Sequence, residues 1–387
     1  MYHYKPSILI LGTRGIPAAH GGFETFAEKF ALFLVESGWN VGVYCQHEVT
    51  TVTERVRSEM WHGIELIHIE VASKGARATL EFDMHCALHA ARRDSVNLVL
   101  GYNGAIFLPY LRLMGRKIIT NMDGIEWRRP KWSYPVKAWF WLNEWIAAWS
   151  SNRLVADHPE IASHLATRRP SKNIVTIPYG GVPVTKASDQ PVRELGLEPG
   201  SYLISIARIE PDNNILTLVT AFSKRRRNAR LVILGNFVAG NAYHDAVKRA
   251  ASDEVVFPGA IYDPQVVEAL RFHARAYVHG HTVGGTNPSL VESLAAGNMV
   301  VAHDNRYNRW TAGSAAVYFS DVDSCDLSLS QALADDLLVK RCAAAARERA
   351  AAVFRWEDIL GTYKRECLSL SGKKDVLPVR KRTADVT

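Results

Sequence analysis

Tyr277–Asp304 reads YVHGHTVGGTNPSLVESLAAGNMVVAHD, and the reading of this stretch decides the fold. A short apolar run, a Gly-rich turn, a helix opened by Pro288 and Ser289, and a second apolar run follow in order. Pro is pre-set for the first helical turn, where its missing N–H is no loss. Gly284 and Gly285 carry no Cβ, so backbone there can come close to a ligand. The helix start at Thr286, Asn287, Pro288 and Ser289 offers free N–H groups and a positive dipole end, a seat for an anion such as phosphate. Glu292 lies about one turn further on, where a carboxylate can accept hydrogen bonds from a sugar hydroxyl. One face thus fits a diphosphate, a ribose and a sugar. The same residue types also make ordinary strand-to-helix turns, so the rest of the chain has to separate the two readings.

Working outward, the same strand–turn–helix rhythm recurs in both halves. Ser7–Gly12 (SILILG) is a buried-strand candidate. Phe23, Phe26, Ala27, Phe30 and Leu34 then recur at helical spacing, with Gly38 placed to close the helix. With the strand Asn40–Cys45 they make a right-handed βαβ unit. The glycines at 12, 15, 21 and 22 do not spell GxGxxG, so a dinucleotide fingerprint is not supported. Apolar runs at Leu98–Tyr102, Lys117–Asp123, Arg153–Asp157 and Asn173–Pro178 continue the first half. Pro183–Gly200 is polar and Pro-bearing and reads as a linker. Beyond it come a strand at Tyr202–Ala207, a helix at Ile215–Arg226, and strands at Leu231–Gly235 and Val255–Gly259. The expectation is α/β: two lobes, each a doubly wound parallel sheet. Ligands in such sheets lie at the carboxyl ends of the strands. Asp123 and Glu126 sit at such an end, as acids able to bind acceptor hydroxyls. The plainer alternative is a turn at Asp123-Gly124, with Glu126 paired to Arg128 or Arg129.

Four motifs in this order carry a family resemblance: LGTRGIPAAHGGFETF from Leu11, DGIEW from Asp123, ARIEPDNN from Ala207 and GGTNPSLVE from Gly284. Together they resemble the retaining glycosyltransferases of family 4, in the rhamnosyltransferase-like branch of capsule and cell-wall enzymes. The resemblance spans Ile8 to about Leu370 and implies the GT-B fold, two Rossmann-like lobes with an inter-domain cleft. It implies an acceptor-side lobe over 1–183 and a nucleotide-sugar lobe over 184–355. A helix over 356–370 would cross back to the first lobe, and a disordered basic tail would occupy 371–387. By that resemblance Gly21 and Gly22 approach the donor phosphates, Arg208 neutralises the diphosphate, and the backbone near Ile261 reads the base. Gly284, Gly285, Thr286, Asn287, Pro288, Ser289 and Glu292 hold diphosphate and sugar. Two positions depart from the family pattern: Asn213 stands where a Lys is usual, and Gly284 where the first of two Glu residues is usual. The implied reaction moves L-rhamnose from dTDP-L-rhamnose, with retention, to a saccharide or lipid-linked saccharide. The donor is a substrate, and no metal or other cofactor is expected. A UDP- or GDP-sugar donor, or a non-catalytic nucleotide-sugar-binding subunit, are the alternatives.

Composition agrees with a two-domain globular chain. The 387 residues are 48% apolar and 22% charged, with Lys plus Arg exceeding Asp plus Glu by 46 to 39, a net +7. This modest basicity suits phosphates, acidic polysaccharide or anionic lipid. No zinc-finger or RNA-recognition signature is present, so nucleic acid is not an expected partner. Oligomeric state is not legible. Five scattered cysteines without a CxxC pair argue for reduced thiols. No run approaches the roughly 18 apolar residues of a membrane span, and a cytoplasmic protein is expected.

Four features compete with these readings. Six of the ten tryptophans fall between Trp127 and Trp149, beside Arg128, Arg129, Lys131 and Lys137. Trp with basic residues marks an interfacial membrane helix, here implying contact with the inner face of an anionic membrane; core packing is the plainer reading. His279 and His281 have zinc-like spacing but no third ligand nearby. Asp321 and Asp323 resemble a metal-binding DxD placed in a polar loop. Lys224–Arg227 reads as a solvated helix end.

Overall fold

The computed structural model describes residues 5–18 and 21–373. Contacts divide the chain into two compact units, Met1–Arg128 with Trp132–Ile177 and Leu360–Thr387, and Arg129–Lys131 with Pro178–Ile359.

The first unit is built on β1 (Ser7–Leu11), β2 (Asn40–Glu48), β3 (Val56–Trp61), β4 (Ile64–Val71), β5 (Val96–Leu100), β6 (Lys117–Asn121), β7 (Arg153–Ala156) and β8 (Ile174–Thr176). Their order is β3-β4-β2-β1-β5-β6-β7-β8. All neighbours pair in parallel except β3, an antiparallel edge strand. That edge departs from the all-parallel expectation. It hangs on the two-residue turn His62-Gly63, with φ of 47° and 82°, the left-handed pair that a tight hairpin requires. The helices are α1 (Gly22–Glu36), α2 (Ala76–Ala90), α3 (Leu108–Leu113), α4 (Tyr134–Ser150) and α5 (Pro159–Leu165). In α1 the buried residues are Phe26, Ala27, Phe30, Ala31 and Leu34, one apolar stripe laid on the sheet.

The second unit contains α6 (Gln190–Glu194), β9 (Tyr202–Ile206), α7 (Ile215–Ser223), β10 (Arg230–Leu234), α8 (Ala242–Ala250), β11 (Val255–Gly259), α9 (Pro264–Phe272) and β12 (Ala276–His279). It continues with α10 (Pro288–Ala295), β13 (Met299–His303), α11 (Arg306–Ala312), β14 (Ala316–Phe319), α12 (Val322–Ala334) and α13 (Asp336–Val353). The six strands are parallel in the order β11-β10-β9-β12-β13-β14. Side chains alternate between two cores: Ile204, Val232, Tyr277 and Val300 in one, Leu203, Ile233, Val278 and Val301 in the other. A sheet covered on both faces is why these strands read as unbroken apolar runs.

Helix α14 (Trp356–Ser371) begins in the second unit, where Trp356 packs on Tyr179 with ring centres 4.9 Å apart. From Leu360 it belongs to the first unit. There Tyr363 is buried against Phe26 and Phe30, and its hydroxyl accepts from Asn121 Nδ2 at 2.8 Å. Of the expected tail, 374–387 lies outside the described residues.

Three expectations are corrected. The stretch 183–200 is not a free linker: it forms α6 and buries Val192 and Leu197 in the second unit's core. The Ala-rich stretch Ser328–Ala352, whose composition predicts a single helix, spans two, divided at Asp335, whose carboxylate caps α13 by accepting from Leu338 N. A break made by a capping Asp carries no Gly or Pro signal. The basic run ends in solvent only in part: Lys224, Arg225 and Arg226 are exposed, while the Arg227 side chain is buried. Lys224 pairs with Asp323, and Arg225 and the buried Arg227 share Asp326. Asp321, in turn, forms a capping box with Ser324 at the start of α12, which accounts for the DxD pattern without a metal.

Candidate functional site

In the second unit the chain winds from β9 outward through β10 to β11, then restarts at β12 and winds the other way. The loops after β9 and β12 diverge at this switch point, where an open α/β sheet presents its ligand crevice. Three hydrogen bonds tie the two loops together. Asn214 Nδ2 donates to Gly280 O at 2.9 Å, and Thr282 N and Oγ1 both donate to Asp212 O, at 2.9 and 3.0 Å. A Cβ on Gly280 would lie 2.2 Å from Asn213 O, so only glycine permits this approach. Sequence reading passed over Gly280.

Arg208 stands in the first of these loops with 67% of its side chain exposed, its guanidinium 3.4 Å from Glu210. Asn213 turns inward and donates to Arg208 O at 2.8 Å. Its amide braces the loop that presents the arginine. In the second loop the left-handed residue is Gly284 (φ 126°), with open space where a Cβ would be. Gly284, rather than Gly285, thus carries the conformational demand. Thr286 is buried, Asn287 caps α10 by accepting from Ser289 N at 3.0 Å, and Pro288 takes the first helical position. Glu292 follows on α10, one third exposed and paired with Arg271 of α9 at 2.6 Å. That pairing was not foreseen. It fixes one carboxylate oxygen and orients the other. Ile261 lies just past β11, half-buried against the core.

His279 and His281 stack with centres 4.3 Å apart and planes at 8°. Burial pushes the pKa of His279 well below the usual range, and His281 and His303 add to the effect. Burial, and then the Arg208 charge, lower His281 to about 3. Both rings are neutral near pH 7. Among the described residues no group of three or more His, Cys, Asp or Glu is placed to hold a metal ion.

The first unit has its own switch point, between β1 and β5. A cleft of about 220 Å³ opens there, lined by Thr13, Arg14, Glu24, Gln46, Asp83 and Asn103 among others. Gly12 (φ 81°) lets the strand ends converge; a Cβ would meet Leu100 O at 2.2 Å. Gly21 (φ 103°) leaves room for Glu24, whose Oε2 would lie 2.2 Å from a Cβ. Glu24 accepts from Thr13 Oγ1 and Arg14 N at 3.3 and 3.2 Å, so α1, which begins at Gly22, folds the glycine loop around its own carboxylate.

Asp83 of α2 is the acid the sequence did not reveal. Gly104 makes space for it: a Cβ there would sit 2.2 Å from Asp83 Oδ2. Burial raises its pKa to about 7. Asp123 and Glu126 do not line this cleft. Asp123 adopts φ 48° with its N–H on Asn121 Oδ1 at 2.9 Å. Glu126 accepts from Trp132 Nε1 at 3.3 Å.

A pH dependence follows from Asp83. Its folded pKa lies above the ~3.9 of an unfolded Asp, so across that window the folded state holds a proton the unfolded state has lost. Its contribution to stability is full below pH ~4 and is lost as pH rises through about 7. Asp83→Asn is therefore expected to gain melting temperature relative to wild type as pH is raised from acid to mildly alkaline. Parallel melting curves at every pH would refute the assignment.

Comparison with known proteins bears on the fold and the domain. Residues 191–349 match the glycosyl transferases group 1 model, and residues 5–182 match a domain of unknown function, DUF1972. No curated protein matches the chain. Among solved structures, sucrose-phosphate synthase from Thermosynechococcus elongatus superposes with a TM-score of 0.75 at 16% identity, over 94% of this chain and 100% of that one. An E. coli structure described as trehalose-6-phosphate bound with UDP-2-fluoro glucose gives 0.71 at 13%, over 97% and 100%. A glycosyltransferase from Rickettsia africae gives 0.68 at 14%, over 95% and 99%. The chain has the GT-B fold, two α/β lobes on parallel sheets, and carries a group 1 glycosyltransferase domain.

Proposed function

We propose that this glycosyltransferase moves L-rhamnose from dTDP-L-rhamnose, with retention of configuration, to a saccharide or lipid-linked saccharide acceptor in surface polysaccharide synthesis. The observation that carries the donor half is the convergence, at the second unit's switch point, of the Arg208 loop with the Gly284–Glu292 segment. Arg208 and the start of α10 at Asn287–Ser289 take the diphosphate, stabilising the charge that develops on it. Gly284 and Gly285 let backbone approach, and Glu292 accepts from a sugar hydroxyl while Arg271 holds it. No protein nucleophile and no metal enters this scheme. The acceptor lies against the first unit's cleft, where Asp83 accepts from the hydroxyl of a bound saccharide; Asp123 and Glu126 remain candidates for a more distal acceptor contact, and Gly21 and Gly22 for a phosphate contact.

The rhamnosyl assignment rests on the motif resemblance. A UDP-sugar donor is the second reading, favoured by the E. coli neighbour with UDP-2-fluoro glucose. A thermal-shift comparison of dTDP-, UDP- and GDP-sugars decides between them, because a ligand that binds only the folded state raises its stability by mass action. The largest shift is expected with dTDP-L-rhamnose; a larger shift with a UDP-sugar would transfer the assignment. Arg208→Ala should weaken nucleoside diphosphate binding by about 1.5–3 kcal/mol, the range for a hydrogen bond to a charged group. Calorimetry reads this directly, and unchanged affinity would remove Arg208 from the site.

A further inference from the structure

The Trp-rich segment divides into two populations. Trp127 Nε1 donates to Glu144 at 2.9 Å, Trp132 Nε1 to Glu126, and Trp139 Nε1 to Asn103 O at 3.2 Å. These three are tied into the first unit. Trp141 and Trp149 instead stand 46% and 60% exposed, with Tyr134 at 88%. At the ~100° per residue of an α-helix, Tyr134, Trp141, Leu142, Trp145 and Trp149 fall within a stripe about 100° wide. The buried residues of α4, among them Phe140, Asn143, Glu144 and Ala147, occupy the opposite side. Tyr134, Trp141, Leu142 and Trp149 face solvent, while Trp145 is half-buried with its indole nitrogen inside.

Helix α3 packs beside α4 and adds to this surface. Leu113 is 85% exposed, and Tyr110 and Met114 are exposed as well. The rim is cationic. Arg169 lies over the Trp149 ring at 5.1 Å and Arg168 over Trp145 at 4.8 Å. Burial, and then the charge of Arg112 on α3, lower the pKa of Arg169. Among the described residues neither Arg112 nor Arg169 has a carboxylate partner. Glu144 is buried and spent on Trp127, His164 and Arg168, and Asp94 faces Arg116. Arg169 Nη1 donates to Ala148 O and Trp149 O at 2.7 and 3.0 Å, which fixes it at the end of α4 but leaves its charge unneutralised. Two cations without a carboxylate partner, beside exposed indoles and a bare Leu, call for an occupant that is anionic above and apolar below.

We infer that the α3–α4 face docks on an anionic lipid bilayer, with Leu113, Trp141 and Trp149 at the headgroup–acyl boundary and Arg112 and Arg169 on lipid phosphates. No helix among the described residues is long and apolar enough to cross a membrane, so the attachment is peripheral. The inference deepens the proposed function by giving a lipid-linked acceptor a place to be met, and relies on it for purpose alone. Lipid binding and sugar transfer are therefore read by separate measurements.

Flotation of the full chain with phosphatidylcholine vesicles, with and without phosphatidylglycerol, tests it. Wild type is expected to float with the anionic vesicles and to be released by high salt. Leu113→Asp and the pair Trp141→Ser/Trp149→Ser should each lower the bound fraction about tenfold or more, and Arg112→Glu by a similar factor with anionic vesicles only. All are exposed positions, and unchanged melting curves verify the fold. Wild type that stays with the unbound fraction, or variants that float like wild type, would overturn the proposal. So would a dimer in light scattering that Leu113→Asp dissolves without lipid, which would give the face to a second copy. Donor turnover unaffected in these variants would leave the transfer reading standing.

Discussion

Glu144→Ala is expected to destabilise the first unit by about 3–5 kcal/mol, the usual cost of leaving a buried charge without its partner. Glu144 is 1% exposed within α4 and accepts from Trp127 Nε1 at 2.9 Å, His164 Nε2 at 3.0 Å and Arg168 Nε at 2.7 Å. Burial alone would push its pKa up; the hydrogen bonds from His164 and Arg168 outweigh that and hold it below the usual carboxylate range. Removing the carboxylate leaves the largely buried Arg168 guanidinium unpaired and frees the Trp127 indole. Chemical denaturation measures the loss. A change of under ~1 kcal/mol, the range of an exposed ion pair, would mean that the cluster is not the anchor of the Trp-rich segment.

Gly284→Val is expected to lower donor turnover by about a hundredfold or more, the scale on which misplacing catalytic or binding groups by an ångström acts. Its φ of 126° is one that a β-branched residue adopts only under strain, and the position opens onto free space. The damage therefore falls on the ligand-facing loop more than on packing. Glu292→Gln gives the complementary result. It removes a charge but little volume, so the fold should persist while transfer is lost. Retained turnover in both variants, measured as nucleoside diphosphate release, would discard the site while leaving the fold untouched.

Much of the fold was legible because it rests on period and punctuation. Apolar runs such as Ser7–Gly12 and Leu231–Gly235 mark strands buried on both faces, and β1 and β10 lie within a residue or so of them. The edge strand β3 was silent because its residues are nearly all exposed or half-buried, leaving no apolar alternation. The loop motifs were legible as glycines and caps, and Asn287 and Pro288 act as the residue types dictate. What could not be read was which partner a charge finds across the fold. Arg227 looked like one of four surface cations, yet Asp326, about a hundred residues away, draws it inside. Glu292 looked free until Arg271 was placed beside it. Asp83 sits on a helix whose sequence carries no motif, and only the convergence of β1 and β5 makes it a cleft residue.

The central claim is that this chain transfers a sugar from a nucleotide donor. Its most direct test is release of nucleoside diphosphate from dTDP-L-rhamnose by the full chain, with membrane-derived lipid acceptors supplied. The account predicts release that depends on acceptor and disappears in Glu292→Gln while melting behaviour is retained. Wild-type protein that binds the nucleotide sugar tightly yet releases no diphosphate with any donor and acceptor supplied would contradict it, and would make the chain a nucleotide-sugar-binding subunit.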